Sequence, residues 1–203
     1  MNILLKSAIA ALVTTCTAQA ATAALTTYAD RASWQGAAGA TIFEDLNAFA
    51  ADDIQPFDVG PFTVSAVGAF AGDNGIEAYD PNPNDIQQDR NIDGTTYLSL
   101  DVDDTVITFT FDSAIFAIAW DQVSTVSNVD INIDGMSANL GSGSFFGIVS
   151  DTAFTSFTLT GIDGAFGLDN IEFSNAAAVP APAAFGLFGL ALLGLSAGRR
   201  FKR

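Results

Sequence analysis

The chain has no histidine and a single cysteine, Cys16, and only seven basic residues stand against 23 acids. Without imidazole there is no Ser-His-Asp triad, no Cys-His pair and no His-containing zinc site, and one thiol builds neither a Cys₄ site nor an internal disulfide. A net charge of −16 leaves no basic surface to displace counterions from phosphate, which excludes nucleic acid as a partner. The 203 residues suit one domain plus targeting segments.

The scarce cations are unevenly placed. Lys6 lies near the start, while Arg199, Arg200, Lys202 and Arg203 fall in the last five positions. The stretch 21–175 keeps only Arg31 and Arg90 and holds all 23 acids, a net −21. An acidic body therefore lies between two apolar ends, each with its basic flank.

At the N-terminal end, Met1–Lys6 carries one positive charge, Ser7–Cys16 is mostly apolar, and Ala18-Gln19-Ala20 puts small residues before Ala21. This reads as a secretory signal peptide, residues 1–20, with a cut before Ala21 or within Ala21–Ala24. The run is shorter than the roughly 20 residues a membrane span needs. Thr15 occupies the position where a lipoprotein signal carries Gly or Ala, so Cys16 leaves with the signal. The exported body then has neither thiol nor disulfide and relies on core burial.

Residues 176–203 form the other end. Val179-Pro180-Ala181-Pro182 precedes an uncharged run, 183–198, and then the basic cluster. That run spans about 24 Å as a helix, against a hydrocarbon core of about 30 Å. Starting from Val179 brings it near a full span, and the closing Arg and Lys side chains can snorkel. By the positive-inside rule Arg199, Arg200, Lys202 and Arg203 stay cytoplasmic and the acidic body lies outside. This proline motif, apolar helix and basic end resemble the PEP-CTERM sorting signal of Gram-negative, exopolysaccharide-producing bacteria, with Ala181 where the family usually has glutamate. The resemblance implies export by the Sec machinery, anchoring in the inner membrane, and processing by an exosortase that delivers the body to the cell surface or beyond.

The body, 21–175, is patterned with period two. Ile107, Phe109 and Phe111 alternate with Val106, Thr108 and Thr110, and similar runs follow to Phe173. The pattern predicts antiparallel strands near 41–46, 56–67, 96–101, 105–112, 114–121, 126–134, 136–140, 144–149, 154–160 and 167–173. One short N-terminal helix is predicted within Tyr28–Ala38, capped by Asp30 and stopped at Gly36 or Gly39. The fold class expected is all-β, an antiparallel sandwich of jelly-roll type, with most of the 17 phenylalanines in its core. Tyr28–Trp34, Phe43–Leu46 and the closing strands also resemble the bodies of PEP-CTERM surface proteins, whose sandwich is similar to carbohydrate-binding modules. Nothing in this body shows the repeated Thr-rich flat array that an ice-binding face would need.

Two readings point to calcium as a structural cofactor. Asp89, Asn91 and Asp93, followed by Gly94, space oxygen ligands like the first half of a Ca²⁺ loop, but position twelve is Leu100 and no Glu closes it. The alternative is a solvated loop. The same string at Asp130–Gly135 reads instead as a strand ending in an Asp-Gly hairpin turn. The likeness to jelly-roll carbohydrate modules implies a second site, tying Glu44 or Asp45 of an early strand to Asp169 of the last; the alternative is that these residues cap strand ends. For sugar stacking, Tyr79 and Tyr97 beside the acidic loop are the candidates, since Trp120 alternates with core positions. No pair of acids is marked out by an apolar setting, so no catalytic residue is assigned and no enzyme is expected. The function expected is an exported surface or matrix protein that binds exopolysaccharide. The alternatives are a purely structural biofilm or envelope component, or a glycan-active hydrolase or lyase.

Overall fold

The computed structural model describes residues 24–51, 55–79, 90–124, 128–162 and 164–177. The signal-peptide segment, the sorting motif Val179–Pro182, the basic end and Asp89 lie outside the described residues. Among the described residues no helix is long and apolar enough to cross a membrane.

The chain forms β1 (Leu25–Tyr28), α1 (Arg31–Ala38), β2 (Ile42–Glu44), β3 (Phe57–Asp58), β4 (Phe62–Gly68), β5 (Gly75–Glu77), β6 (Tyr97–Asp101), β7 (Thr105–Ser124), β8 (Val129–Ile133), β9 (Met136–Asn139), β10 (Phe145–Gly161) and β11 (Ala165–Ser174). Every strand pair described is antiparallel. The all-β expectation holds, and so does the helix, with Asp30 accepting from the Ser33 amide and Gly39 ending it at φ 78. Asp134 and Gly135, at φ 50 and 83, make the expected hairpin turn between β8 and β9.

Several boundaries differ from expectation. The runs 105–112 and 114–121 are one strand, β7, and 144–149 and 154–160 are one strand, β10. Asp112-Ser113 and Ser150–Thr152 look like turns because they are polar, yet the chain bends there without reversing. The stretch 56–67 instead breaks into β3 and β4 at Gly60, whose φ is 81. The short β1 and β5 carry too few residues to show a period.

The bends fold the sheet on itself into a sandwich-like body. A first sheet holds β3, β4, the start of β7, the end of β10, β8 and β9. A second holds β1, the start of β10, the end of β7, β11, β6 and β5, with β2 also on β11. The ladder between β7 and β10 shifts register between Val149 and Phe154, where the pair passes from one sheet to the other. Inner faces meet in one core. Phe173 of the second sheet lies 5.4 Å from Phe111 and 6.4 Å from Phe62 of the first, and Trp120 stacks 5.8 Å from Phe157. Ten of the 17 phenylalanines are buried, as the composition implied.

The outer faces differ. The second sheet is covered by α1, whose Trp34 lies wholly buried over Ala117, Ala119 and Val149 and donates its indole N–H to the Ile148 carbonyl at 3.0 Å. Small side chains make room for the indole. A Cβ on Gly147 would come within 2.6 Å of the Trp34 ring. Among the described residues no helix covers the outer face of the first sheet. There Ser65, Thr108, Thr158, Asn132 and Ser137 stand directly opposite one another across five strands, and Thr63, Thr110 and Ser156 form a neighbouring row. All are at least partly exposed, alternating with buried Val64, Phe109, Phe157 and Ile131. These mixed rows of Ser, Thr and Asn are assembled across the strands by register.

Substituting Gly147→Val should push the indole off the strand. The expected outcome is a destabilisation of about 1–3 kcal/mol in denaturant unfolding, together with a red-shifted Trp34 emission. Unchanged stability and emission would contradict this account of how the helix docks.

Candidate functional site

The acids nominated from sequence converge at one edge of β11. Leu168 pairs with Leu98 of β6, and Asp169 with Asp121 of β7, so Asp169 sits inside the second sheet and is 0% exposed. A register shift between Asp169 and Glu172, with Asn170 at φ 53, turns the strand there. The Asp169 carboxylate accepts from the Asn170 amide at 2.6 Å and from the Thr95 hydroxyl at 3.4 Å. Gly167 brings Thr95 into place. The Arg90 carbonyl lies where a Cβ of Gly167 would stand, at 1.7 Å, so only glycine lets the 90–96 loop lie against β11.

That loop orders itself through its own side chains. Asn91 accepts from the Gly94 amide at 2.5 Å and donates to the Thr95 carbonyl at 2.8 Å. Asp93 accepts from the Thr95 amide at 3.1 Å and from its hydroxyl. On the same side of β11, after β2, Asp45 accepts from the Asn47 amide at 3.1 Å, and Asn47 in turn accepts from the Thr96 amide at 3.4 Å. Glu44 caps the same turn by accepting from the Leu46 amide at 2.9 Å. Glu44 and Asp45 therefore do cap the end of a strand.

Burial first, and then the nearby Asp93 and Asp45 charges, raise the Asp169 carboxyl to about 7 against the bonds from Asn170 and Thr95. Asp93, Asp45 and Asp169, drawn from two separate readings, thus share one electrostatic site. Its donors are all oxygen, the chemistry a hard cation needs. Among the described residues, however, no three acids are grouped closely enough to hold a metal ion. Asn91 spends its carboxamide on the loop backbone.

The stacking candidates separate. Tyr97 is 3% exposed, so its ring belongs to the interior and offers no face to a sugar, a correction to the sequence reading. Tyr79 is 45% exposed. Both tryptophans are buried.

A second polar cluster was not anticipated. Arg31 bonds Glu172 at 2.7 Å and Asp121 at 3.0 Å, and its guanidinium lies 5.0 Å from the Phe145 ring centre. Gln35 and Thr41 also donate to Glu172, and Asn170 to Asp121. Burial pulls the Glu172 carboxyl upward, but the bonds from Thr41, Gln35 and Arg31 and the Arg31 charge outweigh it and hold it below the usual range. The only available signal was that Arg31 is one of two cations in the body. Its role is to clamp α1 to the second sheet.

Asp169 sets a pH dependence. The unfolded chain releases this proton near 3.8, whereas the folded protein keeps it to about 7. Stability contributed by that proton is complete below 3.8 and is lost as pH rises through 7, at up to about 1.4 kcal/mol per pH unit in between. Without added metal, Asp169→Asn should flatten the fall of the thermal midpoint between pH 5 and 7. Parallel profiles for the two proteins would contradict the assignment.

No family model matches the chain, and no curated protein matches it. Solved structures similar to it include a Ruminococcus flavefaciens cellulosome protein, described in connection with glycan recognition (16% identity, 70% of this chain, 99% of that one, TM-score 0.35). The catalytic unit of a thermostable GH87 α-1,3-glucanase from Streptomyces thermodiastaticus strain HF3-3 is another (16%, 60% of this chain, 28% of that one, TM-score 0.35). A third is the catalytic domain of a GH87 α-1,3-glucanase in complex with nigerose (19%, 61% of this chain, 30% of that one, TM-score 0.35). The chain spans less than a third of the glucanase chains, and likenesses this distant carry nothing about site or activity.

Proposed function

We propose that this chain is an exported, non-enzymatic surface or matrix protein of a Gram-negative bacterium, sorted by an exosortase, whose jelly-roll-like body binds exopolysaccharide. The observation that carries this reading is the three-part tail: Val179-Pro180-Ala181-Pro182, the apolar run 183–198, and Arg199, Arg200, Lys202 and Arg203. It follows a body whose described core cluster lies between Leu46 and Phe173, upstream of the tail. The body's charge of −21 suits a soluble exported domain, and the tail's cations suit retention at the cytoplasmic face.

The test is the fate of the tail in a host that carries an exosortase. The wild-type body should leave the membrane fraction with a mass that ends near Val179–Pro182. A variant with Pro180→Ala and Pro182→Ala should stay membrane-bound at full length. An extracellular wild-type chain that retains Arg203 would refute the sorting role.

Calcium belongs to the proposal as a tie between Asp169 and Asp45. Its support is the wholly buried Asp169 carboxylate, whose repulsion by Asp45 and Asp93 a divalent cation would relieve. At pH 7.5, millimolar Ca²⁺ should raise the thermal midpoint of the wild type but not that of Asp169→Asn. Equal wild-type midpoints in Ca²⁺ and in chelator would remove the metal and leave the bound proton as the whole account of Asp169.

A further inference from the structure

The edge of the first sheet carries a cleft that none of the sequence motifs announced. Asn128, Asp130, Asn139, Thr160, Gly161 and Ile162 line a cavity of about 300 Å³. Strand register puts Thr160 opposite Asp130, and Asp130 opposite Asn139, so three strands each contribute one side chain to a single row. Asn139 is fixed: its amide donates to Asp130 at 2.8 Å and to the Val129 carbonyl at 3.2 Å, and its oxygen accepts from the Gly141 amide at 3.0 Å. The Asp130 carboxylate is thereby held with one oxygen engaged and its remaining lone pairs directed away from Asn139, so it is ready to accept hydroxyl donors. Ile162, 81% exposed, supplies an apolar wall.

Asn139 also lines a second cavity, of about 240 Å³, on its other side, with Thr27, Tyr28, Leu140 and Phe145. One residue thus joins a polar compartment to an aromatic one. The rows of Thr, Ser and Asn on the outer face continue from the polar compartment across the first sheet. In a body of net −21, the cleft and these rows carry one acid, Asp130, and no cation. An anionic polymer would find only repulsion there. A chain of uncharged rings bearing hydroxyls finds an acceptor in Asp130, exchangeable bonds along the Thr and Ser rows, and an aromatic surface for the C–H faces of its rings.

We infer that a neutral polysaccharide binds in this cleft, with Asp130 accepting its hydroxyl groups, Thr160 bonding beside it and Tyr28 facing a ring in the second compartment. The inference rests on the polysaccharide binding proposed above and assigns it a place and a charge class. Asp130 and Thr160 are binding residues; Asn139 is a positioning residue.

Affinity electrophoresis of the full-length chain in mild detergent tests it, with dextran and hydroxyethylcellulose as neutral probes and alginate as the anionic one. The wild type should be retarded by at least one neutral probe and not by alginate. Asp130→Ala and Thr160→Val should each weaken that retardation by about tenfold, while Asp73→Asn, at an exposed residue that lines neither compartment, should match the wild type. Circular dichroism of each variant separates lost binding from lost fold, and Thr160→Val changes shape so little that it keeps the test open if Asp130→Ala unfolds. A wild type retarded by no polysaccharide overturns the binding reading and this site together, as does inhibition of ice growth in place of polysaccharide retention. A wild type retarded by neutral probes together with equally retarded Asp130→Ala and Thr160→Val overturns the site alone. Retardation by alginate only overturns the charge class.

Discussion

The antiparallel pairing of β7 with β10 is the constraint on which the rest of this body depends. The two strands are bonded in both sheets, Ile107–Thr110 to Ser156–Leu159 in the first and Ala117–Asp121 to Phe145–Val149 in the second. Because both bend at the same place, the two sheets cannot slide independently. That fixes Phe157 of one sheet within 4.6 Å of Phe109 and 5.8 Å of Trp120. Interlocked rings of this kind hold the two sheets together by packing, with no cysteine among the described residues.

Acidity is managed by position. Arg31 takes up Glu172 and Asp121 under α1, and the buried Asp169 keeps its proton to about 7. Asp58 and Asp101 at strand ends, Asp93 in its loop and Asp151 at the bend of β10 accept backbone amides. The outer face of the first sheet carries rows of hydroxyls and amides with Asp130 beside them. The second sheet's outer face binds the protein's own helix, whereas among the described residues no helix lies on the first sheet's.

Period-two alternation made the strands legible because one face of each is buried, and Asp30 with Gly39 bounded the helix by capping chemistry alone. The fused strands were not legible, since Asp112-Ser113 and Ser150–Thr152 have the composition of reversals and only tertiary packing makes them bends. The Arg31 clamp joins residues 141 positions apart and leaves no local trace. Asp169 was nominated only through the likeness to carbohydrate modules, and its meeting with Asp93 needed the Arg90 carbonyl to enter the space above Gly167. The row of Thr160, Asp130 and Asn139 was the least legible of all. In sequence each belongs to a different, ordinary strand, and only register makes them neighbours.

β11 is an interior strand, bonded to β7 along one side and to β6 and β2 along the other. Its last residue, Ser174, is buried with its hydroxyl 2.9 Å from the Ala38 carbonyl and 2.7 Å from that of Ala40. Whatever follows in the chain is thus attached at the middle of the second sheet. A tension drawn along β11 would be met by many hydrogen bonds loaded side by side in shear, whereas the same pull on an edge strand such as β9 could open them one at a time. As a mechanical element, this body is tethered where it is hardest to unravel.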